Sequence, residues 1–238
     1  MKEKREIIVA TDNTIKDIVE REIAMYGNEA DLNHIDVSHV TNMGDMFHDS
    51  RFNGDLSGWD VSHVTNMGGM FMDSDFNGDL SSWDVSHVTN MGFMFCDSDF
   101  NGDISKWNVS RVTAMCEMFR DSRFSGDISG WDVSHVTNMG GMFFNSRFDG
   151  DISGWDVSHV TDMSWMFQGS HFNGDISGWD VSSVADMGGM FQNSDFDMNE
   201  MFSAFRFGGD VTAWLPETER NGVSPFDEDD NLDDELPF

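Results

Sequence analysis

The stretch Asp73 to Asp84, "DSDFNGDLSSWD", sets oxygen donors Asp73, Asp75, Asn77 and Asp79 at alternate positions, with Gly78 at the sixth and Leu80 at the eighth. That is the order of a twelve-residue calcium loop, where alternation turns side-chain oxygens toward one point and glycine makes the sharp turn. The pattern ends on Asp84, where a bidentate Glu belongs, and cognate stretches place Arg51, Arg123, Arg147 and His171 at the third position. The favoured reading is therefore a by-product of a repeated scaffold. Calcium held by Asp73, Asp75, Asn77, Asp79 and Asp84 is the alternative.

Two further polar columns recur. An acidic ladder of Asp60, Asp84, Asp132, Asp156 and Asp180 is followed three residues later by histidines at 63, 87, 135 and 159, with His39 ahead of them and Arg111 and Ser183 as interruptions. Histidine beside carboxylate is metal-ligand chemistry, yet six near-identical copies do not resemble one active centre, and solvated or acid-paired histidines are expected. The Gly-Asp aspartates Asp55, Asp79, Asp103, Asp127, Asp151 and Asp175 would repel if stacked. Asx turns, each Asp accepting from its own loop backbone, are the favoured reading of that column. No nucleophile with its base, phosphate-cradling glycine loop or zincin helix is present, so neither an enzyme nor a cofactor is expected. Cys96 and Cys116 sit at different positions of neighbouring repeats, consistent with reduced thiols.

The elements behind these columns follow from a period. Phe52, Phe76, Phe100, Phe124, Phe148 and Phe172 are spaced by 24, giving six full units over 52–195 after a partial unit at 32–51. A period of this length implies a solenoid whose units bury their apolar sides against one another. In "FNGDLSGWDVSHVTNMGGMFMDSD", Leu56, Trp59 and Val61 follow the L-x-x-L-x-L spacing of a short strand, and Val64, Met67, Met70 and Phe71 fall at helical intervals. Ser62 or Thr65 is the expected cap of that helical turn. The expected fold is an α/β repeat solenoid, leucine-rich-repeat-like, of 24-residue strand, turn and short-helix rungs with a helical N-terminal cap. The Trp and Met columns are read as its core.

The ends depart from the period. Residues 1–31 are expected to form a cap, with "REIIVA" as a strand and Thr14 to Tyr26 as an amphipathic helix stopped by Gly27. The repeat solenoid spans 32–195, a degenerate unit at 196–215 closes the core with Phe202, Phe205, Phe207 and Trp214, and 216–238 is an acidic linker and tail.

The "FNGDLSGWDVSHVTNMGGMFMDSD"-type units over 32–195 resemble the BspA-like family, in the branch of bacterial surface protein 26-residue repeats. The resemblance implies a leucine-rich-repeat-like body used for binding, frequently at cell surfaces. No secretory hydrophobic region is read in "MKEKREIIVA", no stretch is long enough to cross a bilayer, and cytoplasmic residence is expected.

A hydrophobic share of 39% excludes general disorder, while 44 acidic residues against 13 basic ones, a net charge of -31, oppose direct binding to nucleic acid or anionic lipid. Partners should be basic proteins. From Asp227 to Glu235 seven of nine residues are acidic, and then come Leu236, Pro237 and Phe238. Asp233, Asp234, Glu235, Leu236, Pro237 and Phe238 look like the C-terminal tip of bacterial single-stranded DNA-binding proteins. That likeness implies a tether whose Pro-Phe enters an apolar pocket on replication and repair enzymes. The reading that follows is a non-enzymatic mimic of DNA or of that tip, of phage or mobile-element kind. The alternative is a generic interaction or adhesion scaffold with a solubilising tail.

Overall fold

Within each unit except the one carrying Ala114 a Ser, Asp or Asn precedes a backbone N–H by two residues at four places, and this dictates a path made of turns. Around one circuit Ser74 Oγ accepts from Phe76 N at 3.1 Å, Asp79 Oδ1 from Ser81 N at 2.9 Å, Asp84 Oδ1 from Ser86 N at 3.0 Å and Asn90 Oδ1 from Gly92 N at 3.0 Å. Side chains that bond their own backbone in this way compete with helix and sheet ladders. In a computed structural model of the chain, residues 5–196 are described. The expected C-terminal cap beyond residue 196 and the whole acidic tail lie outside the described residues.

The turns join unit to unit. Met67, Gly69, Phe71 and Asp73 donate their N–H groups to the carbonyls of Asn90, Gly92, Met94 and Cys96 in the next unit, at 2.8 to 3.0 Å. Single parallel bridges run Asn42, Asn66, Asn90, Ala114, Asn138, Asp162, Asp186 along the stack. Threonines reinforce them, Thr89 Oγ1 donating to Thr65 O and Thr113 Oγ1 to Thr89 O, each at 3.2 Å.

The expected rung of strand, turn and short helix is therefore corrected. Among the described residues the helix is α1 (Ile15–Tyr26) and the strands are β1 (Ile8–Val9) and β2 (Ile35–Asp36), paired in parallel. Val64 to Phe71 cannot be helical, because alternate N–H groups point at the neighbouring unit and Gly69 takes φ +63°, which a right-handed helix does not contain. Leu56 to Val61 is not extended, because Trp59 N bonds back to Leu56 O at 3.0 Å. Ser62 and Thr65 donate to Asp60 and to Thr41 O and cap no helix.

The core consists of the repeated columns. Phe71, Phe95, Phe119, Phe143 and Phe167 are fully buried, with successive ring centroids 5.7 to 5.9 Å apart from Phe71 onward. Each is also stacked on the Phe five residues later, as Phe119 is on Phe124 at 4.3 Å. Buried Trp needs a partner for its indole N–H. Trp131 Nε1 donates to Ile104 O at 3.2 Å and every Trp from 59 to 179 in this column repeats the bond, so packing and polar satisfaction come from one residue.

At the N-terminal end, Ile15, Ile18 and Val19 of α1 are buried, and Gly27 at φ +86° ends the helix with its N–H on Ile23 O at 2.8 Å. Asp12 takes the place of a missing unit. Its carboxylate accepts from Thr41 N at 2.7 Å and Asn42 N at 3.0 Å, donors whose counterparts Thr65 and Asn66 bond to a backbone carbonyl, Thr41 O.

Candidate interaction surface

The acidic columns define the outer surface between the core columns. Asp60, Asp84, Asp132, Asp156 and Asp180 are all exposed, and each Oδ1 accepts from the N–H of the Ser two residues on, at 3.0 to 3.1 Å. Asp55, Asp79, Asp103, Asp127, Asp151 and Asp175 do the same with their own serines at 2.8 to 3.0 Å. The Asx turn read for the Gly-Asp column is thus present in both columns. Sequence reasoning missed it in the second, although Ser at the same offset was the signal.

These bonds set the charge. The Ser62 hydroxyl, then the Ser62 N–H, hold Asp60 below the ordinary carboxylate range, against an opposing push from Asp36. Ser81 does so for Asp79 against Asp103 and Asp55. The ladders therefore stay ionised despite like-charged neighbours, because donors compensate each carboxylate locally.

The histidines join this arrangement through the same serines. Ser62 Oγ donates to Asp60 Oδ1 at 2.6 Å and lies 3.1 Å from His63 Nδ1, with the pattern repeated at Ser134 and His135 and at Ser158 and His159. The hydroxyl proton faces a carboxylate in a turn rather than a reacting carbonyl, so the geometry is that of a capped corner. Of the calcium-pattern residues, Asp79 and Asp84 close separate turns, and Asn77 bridges units by donating its N–H to Asn53 Oδ1 and accepting from Asn101 N, both at 2.8 Å. Among the described residues no three of His, Cys, Asp and Glu converge on one point. Burial pushes the Cys96 thiol up to about 12, and Cys116 is raised for the same reason, which disfavours the thiolate a nucleophile needs.

A second polar group escaped sequence reasoning. Glu22 on α1 is buried, with Oε2 3.0 Å from His34 Nε2 and Oε1 3.1 Å from Arg21 Nη2. Arg5 lies over the Tyr26 ring at 3.7 Å beside it, and together they line a cavity of about 560 Å³ with Ile8 and Val9. Within it Glu22 is matched to His34 and Arg21, and Arg5 donates to Asp31 O at 2.8 Å, as a cap requires. Leu236 to Phe238 and the acids before them lie outside the described residues.

No curated protein and no solved structure is detectably similar to this chain. A family described as "Mycoplasma protein of unknown function, DUF285" matches it over residues 17–124, 97–205 and 122–236. The overlapping matches follow from the internal period, since one profile fits the same units in several registers. The chain belongs to this family, DUF285, the BspA-like repeat family, and is a repeat protein.

Proposed function

We propose that the chain is a non-enzymatic protein-binding protein: a leucine-rich-repeat-like acidic solenoid, resident in the cytoplasm, that carries a docking peptide. The peptide is Asp233 to Phe238, resembling the tip of single-stranded DNA-binding proteins, and the partners are basic enzymes of DNA replication, repair or defence that recognise such tips. The observation that carries this reading is the run of acids leading into Leu236, Pro237 and Phe238. Acids steer approach to a basic rim, and a phenylalanine behind a proline supplies buried area at little conformational cost.

The line charge of the body supports occupation of a DNA surface. Two ladder carboxylates per unit, reduced to one where Asn108 replaces the second, at about 4.8 Å per parallel rung amount to one negative charge per roughly 2.6 Å of axis, against about 1.7 Å for duplex DNA. The same charge argues against direct nucleic-acid binding.

Deleting Leu236 to Phe238 tests the reading. Capture of DNA-maintenance enzymes from bacterial lysate by the immobilised protein is expected to collapse on deletion. An unchanged set of captured proteins would favour the scaffold alternative, in which the tail serves solubility alone.

A further inference from the structure

The six units are nearly identical in their core columns and diverge at adjoining positions of one turn. Where Gly69, Gly141 and Gly189 stand in three units, Phe93, Glu117 and Trp165 stand in the others. Three residues on, six units carry Met72, Cys96, Arg120, Phe144, Gln168 and Gln192. Divergence among stacked units marks positions that stacking does not dictate. In repeat proteins per-repeat insertions map to loops on one face, often the one that binds, and substitutions that stacking leaves open are read here in the same way.

Backbone conformation strengthens this point. Phe93 has φ +61° and Trp165 φ +55°, a region that bulky residues rarely occupy and that the glycines at equivalent positions enter freely. Both side chains are exposed, Phe93 at 37% and Trp165 at 55%, whereas the other large exposed apolar residues described lie at positions 7 to 26. Strained backbone therefore holds two aromatic rings in water. A Cβ on Gly189 would come within 2.6 Å of Trp165 Cδ1, so the following unit leaves room for the indole.

Charge on this face is mostly negative. Asp73, Asp97 and Asp121 occupy one column four residues beyond the aromatic positions. The basic residue among them, Arg120, is held by Glu117 at 2.6 Å and Asp121 at 3.1 Å while its guanidinium sits 5.0 Å from the Phe144 ring centroid. Arg120 thus shows, from within the chain, how a cation seats between carboxylates and an aromatic ring here.

We propose that this face docks an extended basic segment of another protein, with Phe93 and Trp165 as apolar anchors and the exposed carboxylates Asp73 and Asp97 as the counter-charge for its Lys or Arg residues. Phe93 and Trp165 are three units apart, about 14 Å at parallel-strand spacing, a span covered by roughly four residues of extended chain. The surface needs nothing from Leu236 to Phe238.

The test uses the full-length protein, a phage-displayed library of random short peptides, and the double variant Phe93→Gly, Trp165→Gly, which restores the residue found in sister units. Selected peptides are expected to combine Lys or Arg with a large apolar residue, to weaken as salt rises, and to bind the variant about tenfold or more worse. Relief of two strained positions should leave the variant melting at or above the wild-type temperature. Binding by the chain lacking Leu236 to Phe238 should be unchanged. The proposal is overturned by an empty selection, by peptides without positive charge, by equal binding to the variant, by a variant that melts below wild type, or by loss of binding on tail deletion.

Discussion

The core columns and the divergent face are built on the same backbone, yet they answer to different demands. Phe119 is stacked between Phe95 and Phe143 and on Phe124, with Trp131 tilted beside it, so its environment recurs in every interior unit and its identity recurs with it. Met72, Cys96, Arg120, Phe144, Gln168 and Gln192 also occupy one repeated position, but the six units hold five different residue types there. Where geometry repeats and identity does not, the fold tolerates the choice and something other than stacking selects it.

The largest expected effect lies in the core. Phe119→Ala removes a fully buried ring with aromatic neighbours on four sides and should destabilise by about 3–5 kcal/mol. Met72→Ala, on the divergent face and half-buried, should lose about 1 kcal/mol or less. Urea denaturation of both variants gives the comparison. Similar losses would mean that the two regions are not distinct.

Glycines at two different columns of the repeat allow the same contrast. A Cβ at Gly54 would run into the carbonyl oxygen of Ala30 and the ring of Phe52, whereas one at Gly154 meets nothing within 4 Å. Gly54→Ala forces backbone apart and should destabilise by about 1–3 kcal/mol, the usual range for overpacking. Gly154→Ala should be neutral or stabilise by about 0.4–1 kcal/mol through the unfolded chain. Thermal melts of the two single variants check the sign of each.

Much of this was legible in the chain. The period of 24 and the Phe, Trp and Met columns could be read because burial of identical units demands identical apolar residues. The rung itself is not legible in the spacing. Val64, Met67, Met70 and Phe71 have spacings of three and four, which a helix and a succession of three-residue turns both produce, and only the direction of the N–H groups of Met67 and Gly69 separates them. Glu22 could not be read as buried, because its partner His34 reaches it from beyond the helix. Phe93 and Trp165 were visible as departures from glycine, but their exposure and positive φ depend on the turn.

The smallest effect concerns carboxylates, and it separates the regions by sign. Ladder aspartates such as Asp60, Asp132 and Asp156 are held below 3.8 by serine hydroxyls and N–H groups. A carboxylate depressed in the folded state contributes stability above its unfolded value, and that contribution is lost as pH falls through the folded one. Asp97 on the divergent face behaves oppositely: desolvation, then Asp121 and Asp73, raise it, so its charge opposes folding at neutral pH and the opposition fades as acid protonates it. The melting temperature should therefore rise slightly as pH falls from neutral toward the carboxylate range, then drop below about pH 4 as the ladders protonate. Carbon-detected NMR titration of the carboxyl groups should place Asp97 above every ladder aspartate. Asp97→Asn should remove part of the rise and leave the acid drop in place. A basic peptide bound to the face should lower Asp97 selectively, since only there does an incoming cation meet crowded charges rather than carboxylates already held by their own turns.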